Sequence, residues 1–128
     1  MAGLALITGA SSGIGAELAR EHARRGGDVV LVARRADRLA DLARELESEH
    51  GVRAHTEPLD LTADGAVERL VRALEERRLV VDVLVNNAGF GGQGRFHERE
   101  WRLDQAMIRL NVMALTELTR RLLPGMVE

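Results

Sequence analysis

Short apolar runs alternate with stretches of helical periodicity along these 128 residues, and that alternation restricts the fold more than any other feature. Leu4 to Ile7, Val29 to Ala33, Val52 to Leu59 and Leu79 to Val85 read as strands. Val29 to Ala33 is continuous and rich in β-branched residues, as expected of a strand with helices on both faces. Between the runs, apolar or weakly polar side chains recur at the spacing of one helical face. The stripes are Ile14, Leu18, Ala19, His22 and Ala23, then Leu39, Leu42, Ala43 and Leu46, then Val67, Leu70, Val71 and Leu74. Gly26-Gly27 and Gly51 stand where helix C-caps belong, Thr62 is placed to cap the third helix, and Arg53, His55 and Glu57 alternate outward from the third strand. A last, uninterrupted helical stretch runs from about Glu98 to Leu123, where Pro124-Gly125 should stop it. Strands joined by helices imply right-handed crossovers and an α/β, doubly wound parallel sheet ordered 3-2-1-4. The last helix should lead to a fifth strand. With the sequence ending at Glu128, the expectation is a partial domain over residues 1–128, truncated after its fourth helix or completed by a partner, with the edge of strand four exposed.

The first run passes directly into Thr8-Gly9-Ala10-Ser11-Ser12-Gly13-Ile14-Gly15, a strand, a tight turn and a helix start. Glycines at 9, 13 and 15 leave no Cβ where a ligand would approach. The unsatisfied N–H groups and positive dipole of the helix start, with the Ser11 and Ser12 hydroxyls, suit a pyrophosphate in a Rossmann-type fold; a turn holding no ligand is the plain alternative. The second strand ends in Ala33-Arg34-Arg35, where such a fold meets the adenosine ribose. An acid there would take a 2′-hydroxyl, whereas Arg34 and Arg35 offer charged forks for a 2′-phosphate, which favours NADP(H) over NAD(H). Two solvated arginines are the alternative. Asp60-Leu61 ends the third strand on the binding rim; its carboxylate can accept from an adenine amino group or cap the helix starting near Thr62, and the residue types leave both open.

Composition removes several other chemistries. With no cysteine there are no disulfides, thiolate nucleophiles or Cys-ligated metal sites, which fits a cytoplasmic protein. His22, His50, His55 and His97 lack metal-ligand spacing, so no metal is expected. A net charge of −2 with no arginine cluster interleaved with aromatics gives no nucleic-acid surface. No apolar run approaches the roughly 20 residues of a membrane helix, and Met1 to Ala10 has no basic leader or cleavage pattern. Ser48 lacks triad partners, and Trp101 is expected to pack. All eighteen basic residues are Arg, so the chain has no Lys, and it has no Tyr.

The Thr8 to Gly15 turn, Asp60-Leu61, Asn86-Asn87-Ala88-Gly89 and Asn111, in that order, resemble the classical short-chain dehydrogenase/reductase family over the whole length, as its N-terminal coenzyme-binding half. The resemblance implies that Gly9, Ser11, Ser12, Gly13, Ile14 and Gly15 bind the coenzyme pyrophosphate. Arg34, with Arg35, would meet the 2′-phosphate, and Asp60 with Leu61 would sit beside the adenine. Asn86, Asn87, Ala88 and Gly89 would steady the sheet and line the nicotinamide-side ribose, and Asn111 would be the tetrad asparagine that holds a water in a proton relay. The family's Ser and Tyr-x-x-x-Lys lie further along such chains, and the tyrosine is its general acid or base. The implied activity is hydride transfer between nicotinamide and a small carbonyl or alcohol substrate. A non-catalytic NADP(H)-binding module or a remnant is the alternative, because Tyr and Lys are absent. The stretch from Phe90 to Met126 also resembles a bacterial-type subgroup, and the resemblance implies a homo-oligomer through the last helix. Met107, Leu115, Leu118 and Leu122 suit core or interface equally.

Overall fold

The computed structural model describes residues 2–89 and 91–127. Its centre is the continuous run Val29–Ala33, strand β2, which lies between β1 (Ala5–Thr8) and β3 (Ala54–Pro58); β4 (Val83–Val85) pairs with the other edge of β1. All pairings are parallel and the order is β3-β2-β1-β4, as the strand–helix alternation implies. Alternate residues of β2 enter opposite cores. Val29 and Leu31 pack with Ala19 and Ala23 of α1 (Gly13–Arg24) and with Leu39, Leu42 and Leu46 of α2 (Ala36–His50). Val30 and Val32 pack with Leu70 and Leu74 of α3 (Ala66–Glu76) and with Leu118 of α5 (Leu115–Met126). Each such large side chain removed from water contributes about 1.5–3 kcal/mol. Gly51 takes the left-handed C-cap of α2, which a side chain would strain.

Several local expectations give way. The buried face of α1 is Gly15, Ala16, Ala19 and Ala23, while Ile14 is 71% and Leu18 40% exposed. Small residues face the sheet because the helix start lies directly on the β1 turn. Strand β3 shows no clean alternation, since His55 and Glu57 are half-buried like Ala54 and Thr56 on this edge strand. Only Val83–Val85 of the fourth run is strand, and Asp82 caps its entry by accepting from the Leu4 N–H at 2.9 Å. Thr62 does not cap α3, which starts after Gly65; its N–H and hydroxyl are bound to Asp60 instead.

The last helix departs furthest from expectation. After a 3₁₀ turn at Phe96–Glu98 come α4 (Trp101–Ile108), a π-helical segment (Arg109–Ala114) and α5, which continues through Pro124 and Gly125. Proline removes one backbone donor, and an exposed final turn loses little by it. Trp101 is 62% exposed because α4 turns Asp104 inward instead, where it pairs with Arg99. Leu118 is core, Met107 and Leu122 are half-buried, and Leu115 is exposed. Phe90 lies outside the described residues.

Candidate functional site

The carboxyl ends of the strands frame a cleft of about 560 Å³, within the roughly 300–1,000 Å³ range of small-molecule sites. It opens where the strand order reverses about β1, the crevice such sheets offer to ligands. Each strand sends its following segment to the wall. Gly9, Ser11, Ser12 and Ile14 come from the β1 turn, Arg34, Arg35 and Arg38 from beyond β2, Asp60, Leu61 and Thr62 from beyond β3, and Asn87, Ala88 and Gly89 from beyond β4. Of the residues singled out in the sequence, Gly13, Gly15, Asn86 and Asn111 are not in the cleft wall.

The glycines of the first turn do different things. At Gly9, with φ +65°, a Cβ would stand 2.9 Å from the Asn87 side-chain nitrogen, so the turn and the β4 segment approach too closely for any side chain. A Cβ on Gly15 would overlap the carbonyl oxygen of Gly9, which makes this glycine a packing requirement of α1 against its own turn. Gly13 faces open space and is needed only for its φ of +60°. Ser12 is the extended N-cap of α1, makes no side-chain cap bond, and no acid occupies the first turn. The helix start therefore presents N–H groups and positive dipole to the cleft without a competing carboxylate.

Thr8, which the sequence singled out only as the first residue of the glycine turn, ties the site together. It is 2% exposed, and its hydroxyl oxygen accepts the N–H of Asn87 at 3.0 Å and of Ala88 at 2.9 Å while the hydroxyl donates to the Val85 carbonyl at 3.4 Å. Asn87 returns the contact, its amide donating to the Gly9 carbonyl at 3.2 Å. Asn86 faces away: its amide donates to the Thr119 hydroxyl at 2.9 Å, fastening β4 to α5. Asn111 sits within the π-helical segment, a feature that recurs at functional sites, and its side-chain oxygen lies 2.7 Å from where a Cβ on Gly89 would stand. It thus meets the cleft through Gly89. A buried hydroxyl ending an apolar strand was the available signal for Thr8.

The far rim is charged. Arg34, Arg35 and Arg38 are exposed, and Arg35 lies 3.7 Å from the Asp37 carboxylate. Asp60 accepts the Thr62 hydroxyl at 2.6 Å and the Thr62 N–H at 2.9 Å. The hydroxyl bond foremost holds its carboxyl below the usual range, with the N–H bond and the nearby Arg34 charge adding to it, against a desolvation effect second only to the hydroxyl bond. Asp60 therefore both closes a local turn and lines the cleft. Arg38 was missed in the sequence, although it stands one helical turn beyond Arg34-Arg35. Among the described residues, no group of His, Asp or Glu could hold a metal ion, and no helix is long and apolar enough to cross a membrane.

Comparison with known proteins agrees with this geometry. The short chain dehydrogenase family matches residues 3–128. Serine 3-dehydrogenase of Agrobacterium fabrum is 36% identical over 130 residues, covering 100% of this chain and 50% of that protein. The L-sorbose reductase of Gluconobacter frateurii, solved with NADPH and L-sorbose, superimposes with a TM-score of 0.89 at 40% identity, over 96% of this chain and 47% of that one. A short-chain dehydrogenase from Sphingobium yanoikuyae in complex with NADPH gives 0.89 at 42% identity, over 97% and 48%. The chain spans about half the length of the curated relatives it matches.

Proposed function

The chain belongs to the short chain dehydrogenase family, and from that premise we propose that it forms the coenzyme-binding part of an NADP(H)-dependent oxidoreductase acting on a small carbonyl or alcohol compound. The observation that carries the reading is one cleft joining the glycine turn after β1 to the arginine rim after β2. The residues present fit the coenzyme: a turn with no Cβ at Gly9 in the cleft wall, donors at the start of α1, and cations where a 2′-phosphate would lie. The relatives solved with NADPH support the same choice.

In this reading the first-turn N–H groups of α1, with Ser11, Ser12 and Ile14, hold the pyrophosphate, and Gly13 and Gly15 give that turn its shape. Arg34 faces the 2′-phosphate, with Arg35 and Arg38 beside it on the same rim, and Asp60 with Leu61 borders the adenine. Asn87, Ala88 and Gly89, braced by Thr8 and Asn86, line the far ribose, and Asn111 orients a water for proton transfer. Bound nicotinamide supplies the hydride chemistry, while the protein supplies orientation. The same reading places the protein in the cytoplasm and gives the exposed Val112, Met113 and Leu115 of the last helix to a second copy of the chain.

Titration of the purified chain with NADPH and NADH tests the assignment. Saturable NADPH binding at least about tenfold tighter than NADH, lost in Arg34→Ala, is expected from one charge-assisted contact to the phosphate. Equal affinities sink the coenzyme preference, and no binding of either sinks the site. The absence of Tyr and Lys favours a second reading, coenzyme binding without turnover by these residues alone. Oxidation of NADPH by the chain with any of a panel of carbonyl compounds would remove it.

A further inference from the structure

Resting on the NADP(H) reading, we propose that Arg38, rather than Arg35, is the second cation that holds the coenzyme's 2′-phosphate alongside Arg34.

The three arginines of the rim are not equivalent. Arg35 is the N-cap of α2 and lies 3.7 Å from Asp37, two residues on in the same turn. That carboxylate already supplies Arg35 with an anion, and a doubly charged phosphate drawn to Arg35 would also meet the Asp37 charge. Arg38 lies in the wall of the cleft and forms no ion pair among the described residues. Side chains of a helix lean toward its N-terminus, and Arg38, in the first turn of α2, lines the same cleft as Arg34.

Arg34 alone is poorly placed to do everything. It lines the cleft with the Asp60 carboxylate, whose charge it feels only weakly, and it offers a single guanidinium to the phosphate. A phosphate offers three acceptor oxygens, and a second fork from the α2 side completes the clamp. Arg38 supplies it without first breaking a contact.

The test uses adenosine 2′,5′-bisphosphate and 5′-AMP, probes that differ only in the 2′-phosphate, titrated calorimetrically into the purified chain and its variants. The wild type should prefer the bisphosphate. Arg38→Ala should cut that preference by about tenfold and Arg35→Ala by less than about threefold, with 5′-AMP affinity changed less than about twofold in both. Arg38→Lys, which keeps the charge and loses the fork, should fall between wild type and Arg38→Ala. Asp37→Ala added to Arg38→Ala should restore part of the lost preference by releasing Arg35. All these side chains are exposed, and unchanged circular dichroism confirms that the variants fold. A preference that survives Arg38→Ala, or falls further in Arg35→Ala, overturns the assignment and leaves the coenzyme reading standing. A wild type without preference overturns the coenzyme reading, and the Arg38 assignment with it.

Discussion

Strands β2 and β4 are built from the same residues and live in different surroundings. Val29 to Val32 are fully buried, with a hydrogen-bonded strand on each edge and a helix layer on each face. Val83, chemically the twin of Val29, is 41% exposed, because β4 has a neighbour only at β1. Apolar character sets what a strand can bury, and neighbours set what it does bury. The cleft lies between these flanks: the glycine turn and arginine rim belong to the well-packed side, while Gly89 and the Asn111 helix belong to the sparse one.

The contrast can be broken most directly by deleting side chains on either flank. Leu31→Ala should cost about 2–5 kcal/mol in denaturant melts, while Val83→Ala should cost under about 1 kcal/mol. Comparable losses would mean that β4 is as well supported as β2. A smaller pair of effects compares the glycine segments. Gly15→Ala forces a methyl into the Gly9 carbonyl and should destabilise by about 1–3 kcal/mol, whereas Gly91→Ala enters open space and should be nearly silent. Thr8→Val probes the seam between the flanks. It keeps the side chain's shape but leaves the Asn87 and Ala88 N–H groups without their acceptor, a loss of about 1–2 kcal/mol with weaker NADPH binding in the same titration.

The smallest effect concerns the rim and depends on pH. The Asp60 carboxyl has its folded pKa depressed, chiefly by the Thr62 hydroxyl, so the stabilisation is present above the unfolded value of about 3.8 and is lost as pH falls through the lower folded value. Asp60→Asn, which keeps an acceptor and removes the charge, should melt slightly below wild type at pH 6. That gap should close as the pH is lowered past about 4. A gap unchanged down to pH 2 would show that the charge of Asp60 contributes nothing.

The sheet order was legible because each strand was a short apolar run followed by a helical stripe, and the stripe of α2 is buried residue for residue. The cleft was legible because the glycines, Arg34 and Asp60 all stand just past strand ends. What escaped were matters of distance and hydrogen bonding, which residue types and periodicity do not encode. Ile14 looked like core until Gly15 brought the helix start against its own turn. Thr62 looked like a cap until Asp60 claimed both of its donors. The π-helical segment has no periodicity of its own, and nothing in Arg109 to Ala114 announces it. Arg38 escaped because it reaches the cleft from the first turn of α2 rather than from the strand end.

The Thr8 hydroxyl also says something about time. It belongs to the first strand, and the N–H groups it accepts lie 79 and 80 residues later. A nascent chain displays the complete glycine turn early in synthesis, yet the turn has no far wall until Asn87 and Ala88 have emerged and β4 has docked. Contacts of such long sequence separation form late and slowly. Coenzyme affinity should therefore appear as a step rather than a slope during folding, and its arrival reports that the first and fourth strands have found each other.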